Sequence, residues 1–251
     1  MTSSPPTLYH VPKTISSPIY QALIELELVG NPVRVQTMEF PDLKSVEHLA
    51  RNPMGTSPTF CDPEHDIAIW ESGAVATYIL ETYDTCGVLH PRAGESSRKL
   101  RASFLHEQQF IIATVYPFVA SLYLHSLKPK EEQDKEYIKD GIKTWRKKLA
   151  PVLVMLLGDQ PYFGGETLNW IDLVVGKPLN NAKSLGALCE FPTLLVLFEK
   201  IKSRPSFAVA YGLEHQVAAG SDESRSLILL PGEKHMRLLP GDYKKSPKYK
   251  T

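Results

Sequence analysis

Polar and apolar positions along this chain follow two different periods, and the change from one to the other divides it. Leu8 to Val11 is a short apolar strand leading into the loop Pro12 to Ser17, after which Ile19, Ala22, Leu23 and Leu26 recur at helical spacing until Gly30. Val33 and Val35 alternate with Arg34 and Gln36, the period of a half-buried strand. Pro41 to Arg51 is expected to be an irregular or short helical connection. A strand at Thr59 to Cys61, a turn at Asp62-Pro63-Glu64, a strand at Asp66 to Trp70 and a helix starting at Ser72 as N-cap follow. Beyond residue 96 the strand signal disappears. Long helices are expected at Ser97 to Ser126 and Glu131 to Leu157, the first kinked at Pro117, because an interior proline loses a backbone bond and clashes with the preceding turn. Asn169 and Asp172 have capping-box spacing, with Leu168 placed to pack onto Leu173, and Leu194, Leu197, Phe198 and Ile201 share one face of a last helical region.

The order of the first elements, βαβ, a connection, then ββα, is a thioredoxin-like layout. The expected fold is therefore an α/β thioredoxin-like N-terminal domain (1–83), a linker (84–95), an all-α C-terminal helical bundle domain (96–212) and an extension (213–251). The extension repeats Leu229-Leu230-Pro231-Gly232-Glu233 as Leu238-Leu239-Pro240-Gly241-Asp242. It reads either as a docked segment or as a polar tail.

Composition narrows the partners. The 251 residues are 43% hydrophobic, enough for a full core, and 28 basic against 28 acidic residues leave no net field to attract nucleic acid or an anionic membrane. No apolar run spans a bilayer and the first residues carry no leader pattern, so a cytoplasmic protein is expected. Cys61, Cys86 and Cys189 have neither Cys-x-x-Cys nor metal-ligand spacing, so no metal is expected. Ser16-Ser17-Pro18 opens the first helix where dithiol chemistry needs a cysteine.

Chemistry concentrates in Asn52-Pro53-Met54-Gly55-Thr56-Ser57-Pro58-Thr59-Phe60 and Glu71-Ser72-Gly73-Ala74-Val75-Ala76. A tight turn brings the chain to Ser57-Pro58, where a cis bond lies only about 0.5–1 kcal/mol from trans and the Ser57 backbone can face a ligand. The helix start at Ser72 offers unpaired N–H groups and a positive dipole end to a carboxylate, and Glu71 beside it can take an ammonium. Together they suit an amino-acid head group.

This block resembles the glutathione-binding half of the glutathione transferase family, with Ser57 and Val75 in place of the usual Val and Ile, and the resemblance runs over about residues 7–212. It implies that glutathione is the co-substrate, held by Ser57, Pro58, Glu71 and Ser72, with Lys44 near the glycine carboxylate. Catalysis would consist of holding the glutathione thiol as a thiolate by a helix dipole and a hydroxyl donor. Alignment on the first helix puts Ser16 nearest the usual serine, with Ser17 one residue away and Thr14 outside them, while Ser16 and Ser17 before Pro18 also read as a plain helix cap. His10 and Tyr9 fall near the phenol position of tyrosine-type members. An electrophile pocket would involve His10, Phe110, Ala113, Tyr116 and Tyr123 and would favour a small hydrophobic electrophile. The family also implies a homodimer. Two alternatives remain: a non-catalytic ligand-binding or regulatory protein on the same fold, and a zeta-like glutathione-dependent isomerase, although Thr14-Ile15-Ser16-Ser17 lacks the Ser-Ser-Cys-Ser of that type.

Overall fold

The computed structural model describes residues 4–94 and 96–212, and the expected extension at 213–251 lies outside the described residues. The chain begins with β1 (Thr7–His10), α1 (Ser16–Glu25) and β2 (Arg34–Thr37). A single 3-10 turn (Pro41–Lys44) and α2 (Val46–Arg51) form the connection, followed by β3 (Thr59–Asp62), a 3-10 turn at Pro63–His65, β4 (Ile67–Trp70) and α3 (Ser72–Tyr83). The sheet order is β2-β1-β3-β4, with β1 parallel to β2 and antiparallel to β3, and β3 antiparallel to β4.

Burial follows from that order. The central strand β1 is buried at every position, whereas the edge strand β2 is mostly exposed. Leu8 joins the main core with Ile19 and Leu23 of α1 and Val75 and Ile79 of α3. Tyr9 looks the other way, into a small cluster with Val11, Met38 and Leu43. Register then sets where loops leave: Tyr9 pairs with Thr59, and Thr59 with Trp70. The β1–α1 loop, the turn before β3 and the start of α3 therefore emerge at one edge of the sheet.

The helical half comprises α4 (Arg98–Phe110), α5 (Tyr116–Ser126), α6 (Lys135–Thr144), α7 (Ala150–Leu157), α8 (Trp170–Ser184), α9 (Pro192–Lys202) and α10 (Pro205–Ala210). The two long helices expected from periodicity are each broken by a π-helical turn, Ile111–Val115 and Trp145–Leu149, and each turn stands just before a proline at the second position of the next helix, Pro117 and Pro151. The wider turn moves the carbonyl that would meet the pyrrolidine ring, so the expected kink takes this form. Likewise the single last helical region is two helices, with Leu194, Leu197, Phe198 and Ile201 all buried on α9.

Helix α8 is the centre of this half, with twelve of its fifteen residues buried. Its start is a reciprocal cap: Asn169 Oδ1 accepts from Ile171 N at 2.8 Å and Asp172 Oδ2 accepts from Asn169 N at 2.8 Å. The joint between the halves is also fixed. The buried Asp84 carboxylate accepts from the backbone N–H of Val88, Leu89 and His90 and contacts His90 Nδ1 at 2.9 Å, while Trp170 N donates to Leu89 O. A second tie joins α1 to α10, where Arg204 meets the Glu25 carboxylate in a forked pair at 2.7 and 2.5 Å and Gln21 Nε2 donates to Ser206 Oγ at 3.2 Å. One buried apolar cluster runs from Leu8 through α1 and α3 to α5, α8 and α10. No helix among the described residues is long and apolar enough to cross a membrane.

Candidate glutathione site

Asn52 organises the turn before β3. Fully buried, it donates from Nδ2 to Thr56 O (2.9 Å) and to Thr59 Oγ1 (2.8 Å), and its Oδ1 accepts from Met54 N at 3.0 Å. His48 Nε2 meets the same Thr56 carbonyl at 3.0 Å, from α2. Gly55 has φ +58°, and a side chain there would bring its Cβ within 2.8 Å of the Leu43 carbonyl oxygen, so the turn needs glycine. The Ser57–Pro58 bond is cis. Ser57 Oγ lies 3.2 Å from Val11 N and 3.4 Å from Tyr9 O, which fastens the turn to the β1–α1 loop. The Ser57 main-chain N–H and C=O make no hydrogen bond with the described residues. Half-buried and unpaired, they form a one-residue strand edge.

The start of α3 is similarly open. Glu71, not Ser72, is the cap residue, and Ser72 is the first residue of the helix. The expected Ser72 side-chain cap is absent because Glu71 takes φ +76° and ψ 119°, a conformation that L residues adopt at a cost of about 1–3 kcal/mol. With that backbone the exposed Glu71 carboxylate has no partner among the described residues, and neither do the Ser72 and Gly73 N–H groups. An acceptor for an ammonium and donors for a carboxylate thus stand side by side. Lys44 is exposed and donates to Gly55 O at 3.2 Å, on the same turn as Ser57.

The β1–α1 loop holds the hydroxyls. Ser16 and Ser17 are both fully buried. Ser16 Oγ has four polar neighbours: His10 Nδ1 (2.7 Å), Thr14 Oγ1 (2.8 Å), Val11 O (3.0 Å) and Val11 N (3.2 Å). Ser17 Oγ accepts from Lys13 N at 3.0 Å. Neither serine caps α1; the cap position is Ile15, and Pro18 is the third helical residue instead of the first. Thr14, bonded to Val11 O at 2.8 Å, is the one hydroxyl of the three that reaches partial exposure. His10 is internal, edge-on to Tyr20 at 5.1 Å, and burial lowers its pKa to about 4, so it is neutral at physiological pH. Tyr9 is covered by Arg51, whose guanidinium lies 4.3 Å from the ring centroid.

Apart from His10 on β1, the residues expected to line an electrophile pocket are spread along one rod. Phe110 ends α4 and packs on the core, Ala113 is exposed on the π turn, and Tyr116 and Tyr123 are half-buried on α5. The Tyr116 hydroxyl faces the Ile15 backbone, and burial raises its pKa to about 12. Tyr116 thus comes to the β1–α1 loop and Tyr123 to α8, whereas Phe110 and His10 are packing residues. One residue escaped sequence reasoning: Lys177, 4% exposed on α8, whose ammonium lies 5.7 Å from the Tyr123 ring centroid. Its signal was a charge inside the apolar run Val174-Val175-Gly176-Lys177-Pro178-Leu179. Among the described residues there is no cluster of three or more His, Cys, Asp or Glu fit for a metal ion.

Comparison with known proteins bears on the family and the fold. The family model for "Glutathione S-transferase, N-terminal domain" matches residues 4–81, and that for "Glutathione S-transferase, C-terminal domain" matches residues 113–210. Glutathione S-transferase-like protein OpS6 of Beauveria bassiana is 36% identical over 115 residues, 46% of this chain and 52% of the relative. Glutathione S-transferase 1 of Schizosaccharomyces pombe is 43% identical over 68 residues, 27% of this chain and 29% of the relative. The matched stretches span about half or less of these relatives' own length. Among solved structures, glutathione transferase URE2P8 from Phanerochaete chrysosporium with oxidized glutathione superposes with a TM-score of 0.72 at 19% identity, over 86% of this chain and 98% of that one. A glutathione transferase homolog from Lodderomyces elongisporus, with two GSH per subunit, gives 0.70 at 20% identity, over 84% and 100%. With both halves matched by the two family models, and the sheet order, cis proline and open α3 start in place, the chain belongs to the glutathione transferase family.

Proposed function

We propose that this protein is a glutathione transferase that binds glutathione along the sheet edge and presents its thiolate to a small hydrophobic electrophile. The observation that carries the reading is the pair of unsatisfied groups at one edge: the free main chain of Ser57 and the free Glu71 carboxylate beside the open α3 start. The cysteinyl residue of glutathione pairs with the Ser57 backbone next to Pro58. Its γ-glutamyl carboxylate takes the Ser72 and Gly73 N–H groups and its ammonium takes Glu71. Lys44, on the far side of the turn, reaches the glycine carboxylate.

In this pose the thiol lies over the β1–α1 loop, at the N-terminal end of α1, where the dipole favours a thiolate. Thr14 is the most exposed of the three hydroxyls, and it donates to the thiolate once its proton turns from Val11 O. Ser16 and Ser17 act through the loop: their bonds to Val11, Thr14 and Lys13 fix the position of that donor. The protein works as a homodimer, as the family resemblance implies.

A binding protein without turnover is the second reading, favoured by one observation: Ser16 and Ser17, the serines at the usual position, are sealed from solvent. The two are separated by titrating the ultraviolet absorbance of the thiolate of bound glutathione in wild type, Thr14→Val, Ser16→Ala and Ser17→Ala. A transferase depresses the bound thiol pKa, and Thr14→Val returns it toward the free value. An unshifted pKa in a protein that binds glutathione overturns the transferase reading in favour of the carrier.

A further inference from the structure

Among the described residues, Lys177 is a buried cation without an anion. Elsewhere the buried Asp84 meets His90, and the buried Asp172 is held by the N–H groups of Phe163 and Asn169. Lys177 has 4% exposure on α8, yet among the described residues its ammonium makes one hydrogen bond, to Asn181 Oδ1 at 2.9 Å, and meets no carboxylate. Its other neighbours are the face of Tyr123 at 5.7 Å and the like-charged Lys13 of the β1–α1 loop. Burial and Lys13 lower its pKa to about 8, which leaves it mostly protonated at neutral pH. An ammonium has three donors, and a buried charge held by one neutral amide and a ring face is short of compensation. The place is as telling as the charge. Lys177 lies beside Tyr123 of α5, feels the charge of Lys13 in the loop that carries Thr14, and shares that helix neighbour with Tyr116, whose hydroxyl faces the Ile15 backbone.

We propose that Lys177, beside the Tyr123 ring, forms an anion-binding subsite for the second substrate, with Lys13 adding positive potential, so that the preferred electrophile is an aromatic compound bearing a carboxylate or phenolate oxygen. The inference rests on the transferase reading above and specifies its substrate class. The Tyr123 ring packs on the aromatic body, the Lys177 ammonium takes the oxygen, and the reacting carbon faces the thiolate. When a glutathione thiolate displaces chloride from such a ring, the C–S bond forms, the C–Cl bond breaks and chloride departs. The negative charge that builds on the ring during attack lies beside the same ammonium.

Two conjugates test it without requiring turnover. Isothermal titration of the full chain with glutathione, S-(2,4-dinitrophenyl)glutathione and S-(4-carboxy-2,6-dinitrophenyl)glutathione compares a neutral with an anionic ring. Wild type is expected to bind the carboxylated conjugate about tenfold more tightly than the neutral one. Lys177→Met, of similar shape, removes that preference and leaves the affinity for glutathione itself unchanged. Lys13→Gln, in the loop and independent of core packing, reduces the preference by about threefold and serves if Lys177→Met does not fold. Equal affinity for the two conjugates in wild type, or a preference that survives both substitutions while glutathione still binds, overturns the proposal. Absence of binding by glutathione itself overturns the transferase reading and the subsite with it.

Discussion

Replacing Asn52 by alanine tests whether the turn before β3 is held by one side chain. The substitution deletes three short hydrogen bonds, to Thr56 O, to Thr59 Oγ1 and from Met54 N, at 2.9, 2.8 and 3.0 Å. Each is worth about 1 kcal/mol net, so their sum is about 3 kcal/mol. The penalty for stranded groups adds little, because the Thr56 carbonyl keeps His48 Nε2 at 3.0 Å and Met54 N is only half-buried. For a protein of this size that loss lowers Tm by roughly 6–12 °C. Urea unfolding followed by circular dichroism gives the free energy, and glutathione titration calorimetry on the folded variant gives the second readout. Without Asn52 the turn that carries the Ser57 backbone is no longer tied to Thr59 of β3, so glutathione affinity falls about tenfold. A stability loss below about 1 kcal/mol refutes the bond accounting. A full stability loss with unchanged glutathione affinity refutes the placement of the ligand on this turn.

Other substitutions probe separate features. Glu71→Gly relieves backbone strain of about 1–3 kcal/mol against about 0.4–1 kcal/mol of added unfolded-state freedom, so thermal stability holds or rises. Glutathione binding weakens about tenfold in the same variant, and unaltered binding removes Glu71 from the site. Gly141→Ala in α6 gains about 1 kcal/mol of helix propensity, but its Cβ falls 2.2 Å from Leu122 Cδ2, and overpacking of about 1–3 kcal/mol wins. Urea midpoints are expected to drop, and a rise contradicts the close α5–α6 approach. Glu107 has a pKa raised to about 7 by burial and by the Asp172 carboxylate, whose own pKa burial raises to about 6. The folded state therefore favours the protonated acid: its contribution is fully present below about pH 4.5 and is lost as pH rises through about 7. Glu107→Gln should match wild type near the acidic end and exceed it at pH 8 by about 1–2 kcal/mol, after allowance for solvent screening. A constant difference across that range in chemical unfolding contradicts the assignment.

The features that could be read from the chain were those set by short-range periodicity. The βαβ-ββα order, the capping box at Asn169 and Asp172 and the buried face of α9 each depend on residues within a few positions of one another. The breaks in the long helices were half visible: Pro117 marked one, but nothing local announced that the clash is relieved by a π turn or that Pro151 repeats the device. Ser57, Glu71 and Ser72 could be named because turn chemistry and helix starts are local, although the cap fell on Glu71 through a backbone angle that no sequence pattern encodes. The exposure of the hydroxyls was not legible. Ser16 and Ser17 are sealed by His10 of β1, by Val11 just after it and by Lys13, and three neighbouring hydroxyls with the same chemistry differ only in how the loop rolls over α1. Lys177 was hidden for the opposite reason, since its neighbours Tyr123 and Lys13 are far away in sequence.

The single apolar cluster that runs through both family halves has a consequence for how this protein can be dissected. Cutting the chain in the segment that Asp84 folds would lay bare Ile19 and Leu23 on one fragment and Leu179 and Phe207 on the other, both greasy and neither with a replacement cover. A sheet half expressed alone would be an aggregation-prone product instead of a miniature glutathione binder. A chimera that grafts a foreign sheet half onto these helices must bring along a matching outer face of α1, including Glu25 for the Arg204 fork. Each half is in effect the other's obligatory chaperone.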